Sequence, residues 1–210
     1  MPIKVTLRKN RHKSPFRELL IRLLTSPYGD SSILCSGYIW QDNTPGKYNV
    51  LDDGLRSAII TGCATGKLIT VAGKFSQRKY RYLYGNFVND LVSNGVNVQA
   101  LYAPQKNWHA KIAIRLSKKR PVAALIGSSN LTGPAYGINR GKWNWNYEAD
   151  VLIWTPHRRH DVFFRNDGIE EPLGKFDTIL DPELDQPSEE EQLNSIYDDV
   201  INAELEGFKQ

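Results

Sequence analysis

The chain has 210 residues, of which 40% are hydrophobic and 24% charged, and its mean hydropathy is −0.45. This composition predicts a soluble protein with one core-forming domain and a tail. No apolar run is long enough to span a bilayer, and the basic N-terminus lacks the cleavage site of a signal peptide. We therefore expect a cytoplasmic protein with no membrane partner.

The charge is divided unevenly along the chain. Residues 1–166 carry 25 Lys and Arg against 9 Asp and Glu, a net charge of +16, whereas residues 167–210 carry 2 against 14, a net charge of −12. We expect a globular domain over 1–166, followed over 167–210 by an acidic linker and an amphipathic helix. A body this basic indicates a polyanionic partner, most often nucleic acid, and a merely solvated basic face is the weaker alternative.

The apolar spacing predicts alternating helices and strands. Ser14 and Pro15 are suited to begin a first helix, and Ser188 begins a last one. The predicted helices cover 16–24, 51–60, 80–92 and a C-terminal stretch after 188. The predicted strands cover 33–40, 68–72, 96–102, 110–116, 122–126 and 149–154. This order predicts an α/β domain whose helices cover a largely buried sheet.

The two cysteines, Cys35 and Cys63, lie in apolar surroundings without metal-ligand spacing. We expect both to be reduced and buried, rather than joined in a disulfide or bound to zinc.

His109 and Lys111 are the first candidate reacting groups. Residues two apart in a strand point to the same face, so an imidazole and an ammonium would lie side by side. Neutral imidazole can attack phosphorus, and an ammonium can stabilise the negative charge of a pentavalent transition state. Taken alone the pair is weak, because a surface histidine beside a lysine is the more common case.

Further polar groups follow in the sequence Gly127-Ser128-Ser129-Asn130 and at Glu148. The Ser128 hydroxyl and the Asn130 amide could hold phosphate oxygens, although a capped turn would explain the same residues. A carboxylate at Glu148 could orient an imidazole, with Asp150 as a competing candidate and an ordinary surface glutamate as the alternative.

Together, the order His-x-Lys, strand, Gly-Ser-x-Asn and Asn-x-Glu resembles the phospholipase D superfamily, and in particular its single-motif, metal-independent restriction-type nucleases. The likeness covers roughly residues 30–155, with a motif core over 108–150. It implies a mixed central β-sheet flanked by helices on both faces. It implies that His109 is the catalytic histidine and Lys111 the phosphate-binding lysine. Ser128 and Asn130 would be the residues of the second motif, and Glu148 the acid that orients the histidine.

One position departs from the family pattern. The superfamily places an aspartate five residues after the lysine, where this chain has Leu116. That aspartate is structural support in the family, so its absence favours comparison with the restriction-type branch over the lipases.

The motif occurs once, whereas the family reaction needs two histidines. The resemblance therefore implies an active site formed across a homodimer interface, a covalent phosphohistidine intermediate, and no metal or other cofactor.

DNA is the expected substrate, with RNA left open, because the body is basic and no membrane segment is present. We expect Ser128, Lys142 and Trp108 to contact the substrate. Trp143 and Trp145 beside Lys142 could stack on bases or could equally pack on the protein. The basic residues of the N-terminal segment could follow a phosphate backbone: Lys4, Arg8, Lys9, Arg11 and Lys13.

The acidic tail has three interpretations. It could pack on its own domain, dock a partner subunit through Leu193, Ile196, Val200 and Phe208, or lie across the basic cleft and restrain the enzyme. The family suggests a role in restriction or defence, with an NTPase or DNA-recognising subunit as a further partner. Two other functions compete: a phospholipase D-type lipid phosphodiesterase, and a non-catalytic DNA-binding or assembly subunit.

Overall fold

The structure is a computed structural model, which describes residues 3–8, 14–74, 76–103, 108–136, 146, 148–165, 189–202 and 206–207. The strands are β1 (Ile3–Leu7), β2 (Ser31–Ser36), β3 (Leu68–Ala72), β4 (Val98–Tyr102), β5 (Lys111–Ser117), β6 (Arg120–Gly127), β7 (Ala149–Trp154) and β8 (Glu206–Gly207). The helices are α1 (Pro15–Leu24), α2 (Asp53–Gly62), α3 (Arg78–Ser93), α4 (Gly133–Tyr136), α5 (Arg158–Arg165) and α6 (Glu189–Ile201).

The strands form one mixed sheet in the order β1-β7-β6-β5-β2-β3-β4-β8. Strands β2, β3 and β4 are parallel to one another, and the other pairings are antiparallel. Helices α1, α2 and α3 pack on one face of the sheet, and α6 packs on the other. The predicted α/β fold, a mixed sheet flanked by helices on both faces, is confirmed.

Helix α1 begins where the sequence predicts, whereas α2 begins at Asp53, two residues after its predicted start. The Ser14 hydroxyl accepts a hydrogen bond from the Arg17 N–H at 3.3 Å, and Pro15 occupies the first turn of α1. Asp52 caps α2 in the same way, accepting from the Leu55 N–H at 2.8 Å. The Arg17 guanidinium donates to the Asp52 carboxylate at 2.7 Å, so one aspartate both caps α2 and joins it to α1.

Alternating strand residues supply two cores, one on each face of the sheet. Leu34, Leu125 and Leu152 face α1 to α3, whereas Ile33 and Ile114 face α6. Both cysteines are free and buried, Cys35 against α6 and Cys63 in the other core, as predicted. Burial raises the pKa of each thiol, which keeps both protonated.

One edge of the sheet collects the polar motifs. Strands β2, β3 and β6 end there, and β5 and β7 begin there. Lys111 pairs with Gly127 across β5 and β6, and Gly127 pairs with Asp150 across β6 and β7. Segments distant in sequence therefore meet at this edge because of strand register.

The N-terminal segment differs from its prediction as a backbone-following basic arm. Residues 3–7 form the outermost strand β1, and the Lys4 and Arg8 side chains are buried. Arg8 donates to the carbonyls of Pro134 and Ala135 at 2.5 and 2.7 Å. The phosphate-binding prediction is therefore wrong for Lys4 and Arg8, because sheet pairing turns them inward; Lys9, Arg11 and Lys13 lie outside the described residues.

The C-terminal helix α6 packs on the chain's own sheet. Leu193 and Val200 are each 1% exposed, within the core that includes Ile33 and Ile114. Those two side chains are therefore not free to dock a partner, and Ile196 and Phe208 lie outside the described side chains. In the described part of the chain, no helix is both long and apolar enough to cross a membrane.

Arg115 provides a test of the fold because its buried guanidinium links several main-chain carbonyls. It is 2% exposed and donates to the carbonyls of Ser26, Gly29 and Gly62 at 2.9, 2.5 and 2.8 Å. Arg115→Leu leaves these acceptors buried without a donor, so we expect a loss of about 3 kcal/mol in the free energy of unfolding, measured by urea denaturation. Arg115→Lys keeps the charge but has fewer hydrogen-bond donors, so it should lose less of the free energy of unfolding than Arg115→Leu. Equal stability of Arg115→Leu and the wild type would contradict this account.

Candidate active site

His109 and Lys111 lie together at the start of β5, as the sequence predicts. The Lys111 Nζ atom is 2.9 Å from Nδ1 and 3.2 Å from Nε2 of the His109 ring. Lys111 is 6% exposed, whereas the His109 residue just before the strand is exposed. An ammonium has only hydrogen-bond donors, so a His109 ring nitrogen is the acceptor in this contact.

The charge of Lys111 is balanced by Glu148. Burial lowers the pKa of Lys111 below its ordinary value, and the negative charge of Glu148 opposes that shift. Glu148 is itself buried, with 6% of its surface exposed. The edge of the sheet therefore holds a buried cation and a buried anion beside an exposed imidazole.

Glu148 is the centre of a hydrogen-bond network with Ser128 and Asn146. Its carboxylate accepts from the Ser128 hydroxyl and from the Asn146 amide, the latter at 3.0 Å. The Ser128 oxygen accepts in turn from the Ala149 N–H at 3.1 Å. Within the described part of the chain no hydrogen bond joins Glu148 to the His109 ring, so the orienting role of Glu148 stays a prediction.

Asn130 lies on the other side of the site, beside the end of β2. Its Oδ1 accepts from the Tyr38 N–H at 3.2 Å. Gly37 makes this approach close: a Cβ added there would lie 3.2 Å from Asn130 Oδ1, 3.3 Å from the Trp108 carbonyl and 3.6 Å from His109 Cα. Gly37 therefore lies between Asn130 and the two residues Trp108 and His109 that precede β5.

Asp150, the competing candidate for the orienting acid, has a different partner. Its carboxylate accepts from the Ser129 hydroxyl at 2.7 Å and from the Ser129 N–H at 3.3 Å, and it is 2% exposed. Burial raises the pKa of Asp150 to about 6, with the Ser129 bonds acting in the opposite direction. Glu148, not Asp150, therefore contacts the predicted site residue Ser128.

One of the predicted substrate contacts, Trp108, stands apart from this network. Trp108 is half-buried against the core beneath α6, and its indole N–H donates to the Ala110 carbonyl at 3.1 Å. The ring therefore packs on the protein, while its carbonyl contacts the end of β2. Lys142 lies outside the described residues, as do Trp143 and Trp145.

Arg8 is a site residue that the sequence analysis assigned elsewhere. Its N–H donates to the Glu148 carbonyl at 2.8 Å, and its guanidinium holds the segment at Pro134 and Ala135. Burial lowers the pKa of Arg8, and the charge of Glu148 opposes this. The signal was the alternation of Lys4, Thr6 and Arg8 in an apolar segment, which predicts a strand with one polar face.

The arrangement offers a nucleophilic nitrogen, a buried ammonium and hydrogen-bond donors at one edge of the sheet. Such a set suits a tetrahedral oxyanion, because donors and positive charge surround an atom that an imidazole can attack. Among the residues that the structure describes, no three His, Cys, Asp or Glu side chains are grouped to hold a metal ion.

The buried carboxyl of Asp150 predicts a pH dependence of stability. Its folded pKa of about 6 exceeds the ordinary 3.8, so its stabilising contribution is complete below about pH 4 and is lost as the pH rises through 6. Asp150→Asn cannot lose a proton, so from pH 4 to pH 7 the wild type should lose about 2 kcal/mol of unfolding free energy relative to the variant. Urea denaturation at both values measures this, and parallel stability curves would contradict it.

No protein-family model matches the chain, and no curated protein is similar to it in sequence. Solved structures do share its fold. NucT from Helicobacter pylori superposes with a TM-score of 0.50 and 14% identity, covering 99% of this chain and 100% of that one. The phosphatidylserine synthase of Haemophilus influenzae Rd KW20 gives a TM-score of 0.54 and 11% identity, covering 99% of this chain and 40% of that one. These structures belong to the phospholipase D superfamily, and the chain has the phospholipase D-like fold.

Proposed function

We propose that the protein is a phosphodiesterase that cleaves DNA through a covalent phosphohistidine, without a metal cofactor. The observation that carries the proposal is the contact of 2.9 Å between the exposed His109 ring and the buried Lys111 ammonium. The phospholipase D-like fold supports it, since this pair lies at the edge of the sheet where β6 ends before Ser128 and β7 begins after Glu148.

The reaction has two steps. In the first, the lone pair of a His109 nitrogen attacks phosphorus, a P–N bond forms, and the P–O bond to the leaving nucleoside oxygen breaks while that oxygen takes a proton from a second imidazole. In the second, that imidazole takes a proton from water, the water oxygen attacks phosphorus, and the P–N bond breaks. The Lys111 ammonium stabilises the charge that gathers on the phosphoryl oxygens in both steps.

The second imidazole would be the partner's His109, across a twofold homodimer interface. Of the other three histidines of the chain, His157 and His160 lie beyond the far end of β7, away from the site, and His12 lies outside the described residues. Both copies would then contribute Lys111 and Asn130 to one phosphate. Glu148 would hold the partner's His109 in this arrangement, which would explain its lack of a hydrogen bond to the His109 ring of its own chain within the described residues.

DNA is favoured as substrate by the net charge of +16 over residues 1–166, which suits a phosphate backbone. We further propose a cytoplasmic role in restriction or defence, in which an NTPase or a DNA-recognising subunit would supply sequence specificity. RNA carries the same phosphodiester and remains a second substrate to be tested.

The first test is to incubate plasmid DNA with the purified protein in EDTA. We expect the wild type to cut and His109→Ala to lose at least about 100-fold in rate, because it lacks the nucleophile and the acid. His157→Ala, which removes an exposed histidine from the far end of β7, should cut like the wild type.

Each other outcome of this test has a defined meaning. Equal cutting by the wild type and His109→Ala would refute the assigned site. His109-dependent hydrolysis of phospholipid vesicles, with no cutting of nucleic acid, would support the lipid phosphodiesterase. DNA binding by both proteins, with hydrolysis of neither substrate, would support the non-catalytic subunit.

The shared site can be tested by mixing. Wild type and His109→Ala are unfolded together in equal amounts and refolded at constant total concentration. If each site needs two His109 rings, random pairing leaves about one quarter of the wild-type activity, whereas independent sites leave about one half. Light scattering after gel filtration measures the dimer directly, and a monomeric active protein would contradict the shared site.

A further inference from the structure

Aromatic and basic side chains cluster beside Asn130. Tyr38 and Trp40 follow β2, Lys74 follows β3, and Lys79 and Tyr80 lie in the first turn of α3; we call these five residues the basic–aromatic platform. The Tyr38 and Tyr80 rings are 4.9 Å apart at 68°, and the Trp40 and Tyr80 rings are 6.4 Å apart at 74°. Lys79 Nζ lies 4.3 Å from the centre of the Trp40 ring, and Lys74 Nζ lies 5.8 Å from that of Tyr38.

The platform is joined directly to the candidate active site. The Tyr38 N–H donates to Asn130 Oδ1 at 3.2 Å, and the preceding Gly37 touches the main chain of Trp108 and His109. Lys74 follows Gly73, where an added Cβ would lie 2.1 Å from the Trp108 carbonyl. A chain bound at His109 and Lys111 would therefore meet the platform next.

The platform is accessible. All three rings are half-exposed, Lys74 is half-exposed and Lys79 is exposed. Arg78 and Arg81, on the same turns of α3, are also exposed. Asp42 is a nearby carboxylate, and its pKa is lowered first by its hydrogen bonds to Thr44 and then by the charges of Lys47 and Lys79. The local charge is thus positive beside three partly exposed aromatic rings.

Aromatic faces beside ammonium groups match unpaired nucleotides. A base can stack on a ring only when its own face is free, and the phosphates on either side need positive charge. In a duplex the base faces are covered by their neighbours, so rings at this place would contribute little to binding.

We propose that the basic–aromatic platform binds unpaired nucleotides of the substrate strand, with a base on the Trp40 ring and phosphates at Lys74 and Lys79. This substrate preference rests on the proposed function, since it assigns the strand that enters the same site. It predicts tighter binding of single-stranded than of double-stranded nucleic acid.

Binding is measured in the full-length His109→Ala protein, so that cleavage does not interfere. The probes are a fluorescent oligo(dT) of twelve nucleotides and an abasic strand of the same length, and anisotropy gives each Kd. We expect Trp40→Leu, which keeps an apolar side chain but no ring, to weaken oligo(dT) about tenfold and to leave the abasic strand unchanged. Oligo(U) in the same assay separates RNA from DNA.

Charge controls separate stacking from general electrostatics. Lys79→Gln should weaken both probes and reduce the salt dependence of binding. Lys119→Asn removes one charge from the β5–β6 turn, at the opposite end of the strands, and asparagine tolerates its φ of 69°. That control should bind both probes like the parent protein.

Two experimental results would overturn the proposal. It is overturned if Trp40→Leu keeps the parent's preference for oligo(dT) over the abasic strand while its melting temperature is unchanged, because the rings would then only pack the 37–50 loop on α3. It is also overturned if a duplex binds as tightly as oligo(dT). Tyr80→Ala provides a second variant if Trp40→Leu does not fold. Binding is measured without cleavage, so failure here is distinct from failure of the proposed nuclease activity.

Discussion

The candidate site depends on the close approach of three main-chain segments at one edge of the sheet. Gly37 and Gly73, which follow β2 and β3, both lie close to the Trp108 carbonyl, and an added Cβ at Gly73 would be only 2.1 Å from it. Side chains at either position would push the residues before β5 outward. His109 would then move away from Asn130, so the absence of two side chains sets the distance between the two motifs.

Charge balance is the second condition. Lys111, Glu148, Arg8 and Asp150 are each at most 6% exposed, which is costly for ionised groups unless they are paired or hydrogen-bonded. The charge of Glu148 opposes the lowering of the Lys111 and Arg8 pKa values by burial. The Ser129 hydroxyl donates a hydrogen bond to the Asp150 carboxylate. The positive charge that a phosphate would meet is thereby held in place before substrate arrives, as electrostatic preorganisation requires.

Most of the fold could be predicted from the sequence because its elements carry strong periodic signals. The predicted limits of β3 and β7 agree with the structure, and the apolar spacing of α1 and α3 matches their buried faces. Strand β1 was missed because its five residues include Lys4 and Thr6, whose burial depends on partners more than 120 positions away. The contact of His109 with Lys111 was predicted from strand alternation, although His109 lies just before β5. The link from Glu148 to Ser128 and the Tyr38–Asn130 contact arise from tertiary packing that no local pattern encodes.

The pairing of β1 with β7 has a consequence for the synthesis of the chain on the ribosome. Thr6 bonds the Asp150 carbonyl across 144 positions, and Arg8 bonds that of Glu148. Strand β1 therefore emerges first from the ribosome but can pair only after β7 has been released. The emerging chain carries His109 before the strand that follows Glu148 has been synthesised, so the candidate site is assembled only after most of the domain exists.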